Sequence, residues 1–104
     1  MKLIKVEKME TCASGDQAYK YFFDEDWKKE HIEKLAALGK LKYYGNFPRP
    51  LFEVKCAGGA TIIGVEQARD VKVVFPRDTA EVEQEVFQRE AFQKALHPQP
   101  VPPQ

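Results

Sequence analysis

The glycine pair Gly58–Gly59 constrains the fold of this chain most, because it separates two runs rich in β-branched residues. Residues 51 to 57 read Leu-Phe-Glu-Val-Lys-Cys-Ala, and residues 60 to 66 read Ala-Thr-Ile-Ile-Gly-Val-Glu. Two such runs joined by a glycine pair predict a β-hairpin with a two-residue turn. In that register Ala57 faces Ala60, and the following cross-strand pairs are Cys56 with Thr61, Val54 with Ile63, and Phe52 with Val65.

The alternation of side chains predicts which face of this hairpin meets the core. The six residues of those pairs share one face, whereas Glu53 and Lys55 share the other. A slip of one residue would bury the charges, so the pattern itself favours a single register. Residues 71 to 75 read Val-Lys-Val-Val-Phe and continue the apolar face. We therefore expect residues 51 to 75 to form the centre of a sheet with one apolar side.

The N-terminal residues predict a second hairpin. Residues 3 to 11 and 17 to 23 read as strands, and the small, turn-forming residues 12 to 16 separate them. Tyr19, Tyr21 and Phe23 share one face of the second strand.

A helix is predicted after this hairpin. Trp27, His31, Leu35 and Leu38 fall within one arc at helical spacing. The preceding acidic residues 24 to 26 suit the N-terminus of a helix, and we interpret them as capping residues rather than as a cation site. Gly39 stands where a C-cap glycine is expected. Residues 40 to 44 then read as a strand.

Residues 45 to 50 predict a rigid surface loop. Pro48 and Pro50 each lack the amide hydrogen that a central strand requires, so the loop cannot belong to the sheet interior. The loop carries Phe47 and Arg49, which are residue types that often anchor protein interfaces.

The last predicted helix, residues 79 to 96, has too many apolar sides for a helix at the surface of a monomer. Asp78 and Glu81 have the spacing of a capping box at its start. Three groups of apolar residues point in different directions: Val82 and Val86, then Phe87, Ala91 and Ala95, then Phe92 and Leu96. Either part of the helix is deeply buried, or a second face contacts another molecule. The proline-rich residues 98 to 104 predict a disordered tail.

The order of elements, ββαββββα, predicts a single α+β domain over residues 1 to 97. We expect a mainly antiparallel sheet of about six strands with two helices on one face, which is a two-layer sandwich. In topology this order resembles the helix-grip or TATA-binding-protein-like arrangement, which implies a sheet wrapped around a long C-terminal helix. The alternative is a simpler α+β meander in which the last helix projects and dimerises.

Composition narrows the class of protein. Sixteen Lys and Arg residues balance sixteen Asp and Glu residues, which argues against a chain whose main task is to bind nucleic acid or an anionic membrane. The candidate set for nucleic acid is Lys40, Lys42, Tyr43, Tyr44, Arg49 and Lys55. No apolar run is long enough to span a membrane or to act as a signal peptide, so we expect a cytoplasmic protein with no membrane contact. Cys12 and Cys56 are expected to be reduced, and no ligand spacing predicts a metal or a cofactor.

These observations favour a non-enzymatic protein. Cys56 lies on the inward face, where a thiol is inert, and no pattern brings His31 or His97 to a cysteine. We expect a small protein-interaction or accessory module that binds a protein partner or forms a homodimer through the last helix. Its predicted interface residues are Phe47, Arg49, Phe87, Phe92 and Leu96. The alternative is a small apolar or aromatic ligand bound between the last helix and the sheet, in a cavity lined by Tyr19, Tyr21, Tyr43, Phe52 and Phe87.

Overall fold

A computed structural model describes residues 1–9 and 15–97. In this part of the chain six strands form one antiparallel sheet with two helices, which confirms the predicted α+β class. The strands are β1 (Leu3–Lys8), β2 (Gln17–Phe23), β3 (Gly39–Tyr44), β4 (Leu51–Cys56), β5 (Thr61–Val65) and β6 (Asp70–Phe75). The helices are α1 (Lys29–Lys34), which continues into a 3-10 turn (Leu35–Leu38), and α2 (Glu81–Leu96). Neither helix is long and apolar enough to cross a membrane.

The strand order is β1-β2-β6-β5-β4-β3, so the N-terminal hairpin pairs with the last strand of the meander. Both helices pack on the apolar side of the sheet. Trp27, at the entry to α1, lies against Phe52 of β4 with the ring centroids 5.6 Å apart. Phe92 of α2 lies against Phe23 of β2 at 5.1 Å. The core is therefore a layer of aromatic rings between the sheet and the two helices.

The β4–β5 hairpin differs from the prediction by one residue. The amide of Cys56 donates to the carbonyl of Ala60 (2.8 Å), so the turn contains three residues instead of two. Gly59 occupies it with a φ of 101°, a conformation that favours glycine. The additional turn residue places Phe52 opposite Gly64, and it also shifts the pairing of Val54.

The predicted hairpin pairs are consequently wrong. Val54 pairs with Ile62, not Ile63, and Lys55 takes the place of Cys56 opposite Thr61. Ile62 is fully buried, whereas Ile63 points to the other side of the sheet and is 39% exposed.

Gly39 begins β3 in an extended conformation and is not the predicted left-handed C-cap. A Cβ atom at this position would lie 2.7 Å from the Cα atom of Cys56, so the close approach of β3 to β4 requires glycine here.

The acidic cluster before α1 does not cap the helix as predicted. Asp24 accepts a hydrogen bond from the amide of Lys2 (2.7 Å), and Asp26 accepts one from Nε of Arg69 (3.0 Å). Helix α1 begins only at Lys29, because the chain first runs as an irregular segment that buries Trp27 completely. The carboxylate of Asp24 therefore connects this segment to the residue before β1, and that of Asp26 connects it to the β5–β6 turn.

Helix α2 begins at Glu81 after the N-cap residue Ala80, whose methyl side chain cannot accept a capping hydrogen bond. The capping box predicted at Asp78 and Glu81 is therefore wrong. The second half of the helix is buried through four apolar residues, Ala91, Phe92, Ala95 and Leu96. Because this half packs into the core, α2 does not project from the domain as the alternative topology required. The predicted tail at residues 98 to 104, and Cys12, lie outside the described residues.

Candidate functional site

The first half of α2 leaves an apolar groove beside the β4–β5 turn, which we call the hairpin groove. Its volume is about 400 Å³, and it is open to solvent. Six of its lining residues are Cys56, Ala60, Phe75, Val82, Val86 and Phe87. The groove forms on the side of α2 that carries Val82 and Val86, whereas Gln84, on another side of the same half, is buried and hydrogen-bonded to Tyr19 of β2.

Two valines of α2 form the exposed wall of the hairpin groove. Val82 is 64% exposed and Val86 is 38% exposed, and residues four apart lie on the same side of a helix. Phe87 is partly buried against Phe75, with the ring centroids 5.3 Å apart and the rings nearly perpendicular. Exposed aliphatic side chains above an aromatic floor form an apolar surface suited to another apolar element.

The hairpin groove also contains a free thiol, Cys56. Partial burial raises the pKa of this thiol above its ordinary value, which keeps it protonated at neutral pH. A protonated thiol is a poor nucleophile, so the groove has the chemistry of a packing surface. Within residues 1–9 and 15–97, no group of three or more His, Cys, Asp or Glu side chains could hold a metal ion.

The structure separates the predicted interface residues. Phe92 and Leu96 are core residues, only 3% and 6% exposed, and thus offer almost no surface to a partner. Phe87 lies in the hairpin groove, whereas Phe47 and Arg49 are exposed on the loop at the opposite end of β4. Sequence reasoning missed Val82 and Val86 as site residues, although their spacing had already set them apart from the rest of α2.

The residues predicted to line a ligand cavity are also dispersed. Phe52 and Tyr21 are buried in the core. Tyr19 donates its hydroxyl hydrogen to Oε1 of Gln84 (2.9 Å), and Tyr43 donates to Oε1 of Glu66 (2.9 Å) near the β3 edge. Tyr19 and Tyr21 do share a small cleft of about 160 Å³ with α2, but Tyr43 and Phe87 lie elsewhere.

A larger groove, of about 730 Å³, runs between the start of β1 and the outer side of α2. We call it the β1–α2 groove. Phe23, Phe92 and Leu96 contribute its apolar lining, while Glu85 and Arg89 contribute charged groups. Sequence reasoning did not predict this groove, because it depends on the position of β1 at the edge of the sheet beside β2 and not on any local pattern.

The chain matches no protein-family model, no characterised protein and no solved structure at a significant level.

Proposed function

We propose that this chain is a non-enzymatic protein-interaction module that self-associates through the first half of α2. The observation that supports this proposal is that Val82 and Val86 are exposed beside the hairpin groove. Burying these side chains and the groove floor would remove apolar surface from water, which is the main driving force of association.

The exposed valines of α2 favour a second copy as the partner. In a two-fold antiparallel crossing at Val82 and Val86, the valines of one copy pack against those of the other, which removes apolar surface from water on both copies. The two helix dipoles then also oppose each other favourably. A two-fold arrangement of this kind uses the same surface on both copies.

The oligomeric state across a concentration series tests this proposal. We expect light scattering coupled to size exclusion to show a concentration-dependent dimer, and the double variant Val82→Glu/Val86→Glu to remain monomeric. Ile4→Glu is a matched control, because Ile4 is 65% exposed on β1 and Val82 is 64% exposed. A wild-type chain that stays monomeric at millimolar concentration would refute self-association, as would a dimer that survives in the double variant.

A second candidate function is the binding of a small apolar or aromatic ligand in the β1–α2 groove. The observation that favours it is the groove volume, about 730 Å³, which lies within the range of small-molecule sites. The groove also lies between the last helix and the sheet, where the sequence predicts a ligand site, although none of the five predicted lining residues contributes to it.

The ligand proposal can be tested with an environment-sensitive apolar dye such as anilinonaphthalene sulfonate. We expect saturable fluorescence enhancement and a higher melting temperature with the dye. The variant Gln88→Trp, which fills the groove from α2, should abolish both effects. Lys94→Trp adds the same side chain to α2 at a residue that does not line the groove, and should leave them unchanged. Equal dye binding by both variants would exclude this groove as the site.

A further inference from the structure

The side of the sheet opposite the helices carries a concentration of lysines, which we call the lysine face. Residues on this side alternate with the buried residues of each strand and align across the sheet in the observed registers. Its lysines are Lys5, Lys20, Lys40, Lys42, Lys55 and Lys72, and its carboxylates are Glu7, Glu53 and Asp70. The chain is neutral as a whole, so this face is more basic than the rest of the molecule.

Two pairs of lysines stand directly opposite each other on neighbouring strands. Lys40 of β3 faces Lys55 of β4, and Lys20 of β2 faces Lys72 of β6. Like charges in such cross-strand positions destabilise a sheet. A bound anion between the two ammonium groups of a pair would turn this repulsion into attraction.

Ion pairing relieves only part of this repulsion. Lys5 pairs with Glu7, and Lys20 lies 3.4 Å from Asp70. Among the residues that the structure describes, Lys40, Lys42, Lys55 and Lys72 form no ion pair. Lys42 faces Glu53 across the strands, whereas Lys40 faces Lys55. Three lysines against one carboxylate give β3 and β4 the largest excess of positive charge on this face.

An exposed aromatic ring adjoins the unpaired lysines. Tyr44 is 43% exposed and follows Lys40 and Lys42 on the same side of β3. Alternate residues of a strand are about 6.8 Å apart, so the three side chains form a row of two cations and one ring. Nucleic-acid bases stack on aromatic rings of this kind, while lysines hold the phosphates.

We propose that the lysine face binds single-stranded nucleic acid. The Lys40–Lys55 pair and Lys42 contact the phosphate backbone, and Tyr44 stacks with a base. A single strand fits better than a duplex, because a sheet face has no helix or ribbon that could enter a groove. This binding is separate from the self-association proposed above, since α2 lies on the other side of the sheet.

Fluorescence anisotropy with labelled thymidine 20-mer and uridine 20-mer tests the proposal. We expect binding that weakens steeply with salt. The slope of log K against log salt is negative. Lys40→Gln and Lys55→Gln should each reduce its magnitude by about 0.7, the value for one phosphate contact on a single strand. Lys8→Gln and Lys34→Gln remove exposed lysines from outside the lysine face and should leave the slope unchanged. If all four variants change the salt slope equally, the proposal is wrong.

Base stacking gives a second, independent readout. Tyr44→Ala should weaken binding about tenfold, and Tyr44→Phe should retain the affinity. Poly-glutamate and a 20-base-pair duplex serve as competitors for the labelled strand. If either competes as well as the unlabelled single strand, the face is a general anion surface or a duplex site, and the proposal is wrong.

A charge reversal separates loss of binding from loss of folding. Lys55→Glu replaces the repulsive pair with Lys40 by an attractive one, so its melting temperature at low salt should rise while binding is lost. A stabilised variant that still binds the labelled strand with unchanged affinity would refute the role of this pair.

Discussion

The ring of Phe52 in β4 occupies the space beside Gly64 in β5 that any larger residue would need. A Cβ atom added to Gly64 would lie 2.8 Å from Cε1 of Phe52 and 2.9 Å from Cγ1 of Val71. Both neighbours are buried and belong to the core. The absence of a side chain at Gly64 therefore allows the register in which Phe52 lies opposite it and packs in the core.

We predict that Gly64→Ala destabilises the fold by about 1–3 kcal/mol through overpacking of the core. Chemical denaturation followed by the fluorescence of Trp27, the single tryptophan, measures the change. Gly58→Ala is the matched control, since a Cβ atom there would meet nothing within 4 Å. Phe52→Leu in the Gly64→Ala background should recover part of the loss. An unchanged free energy of unfolding for Gly64→Ala would contradict this packing argument.

The hydrogen bond from Tyr19 to Gln84 connects β2 with α2. Gln84 is only 6% exposed, and its Nε2 atom donates to the carbonyl of Thr79 (3.1 Å). Tyr19→Phe leaves a buried amide oxygen without its donor, so it should reduce the free energy of unfolding by about 1 kcal/mol. In a double-mutant cycle with Gln84→Met, the decrease in the free energy of unfolding of the double variant should be smaller than the sum of the decreases in the two single variants. Strict additivity would show that the two side chains are not coupled.

The N-cap residue of α2, Ala80, makes no side-chain cap, so a capping residue at this position should stabilise the fold. Ala80 is the N-cap residue and has the extended backbone that capping requires, with φ −64° and ψ 147°. Ala80→Ser or Ala80→Asp should raise the free energy of unfolding by about 1 kcal/mol, because the new oxygen can accept a hydrogen bond from an unpaired amide. Ala36→Ser, at an exposed position of the 3-10 turn, should give no gain. Equal stabilisation at both positions would argue against capping as the cause.

Stability should decline at alkaline pH. Burial raises the pKa of Cys56 and of Tyr21, so the folded chain holds both protons at pH values where the unfolded chain releases them. The unfolded groups ionise near pH 8.5 and 10, respectively. The free energy of unfolding should therefore be insensitive to these groups below about pH 8 and should fall as the pH rises toward 11.

Urea titrations between pH 7 and pH 11 test this dependence. The double variant Cys56→Ala/Tyr21→Phe should show a shallower decline than the wild type. Tyr44→Phe serves as the control, because it alters an exposed tyrosine outside the core, and it should keep the wild-type profile. If the free energy of unfolding of the double variant declines as much as that of the wild type, groups other than Cys56 and Tyr21 cause the decline.

Sequence reasoning was sufficient for the class of the fold because strand alternation and helical spacing report directly on burial. It placed β2 and the end of α2 within the observed boundaries. It failed where one residue changes the geometry, as in the three-residue turn at Gly59, and where tertiary partners outcompete local ones, as with Asp24 and Asp26. The lysine face was visible only in part, because cross-strand registers decide that Lys40 faces Lys55 while Tyr43 points to the other side.

The pairing of β2 with β6 has a consequence for how the chain reaches its native state. Gln17 lies opposite Phe75, so the centre of the sheet joins segments that are far apart in sequence. Closing such a large loop costs entropy before any native contact compensates it, which slows folding. During synthesis the N-terminal hairpin emerges well before α2, so the contacts of Tyr21 and Phe23 with Phe92 form only after α2 has left the ribosome. In the cell, this hairpin is the segment we expect chaperones to protect.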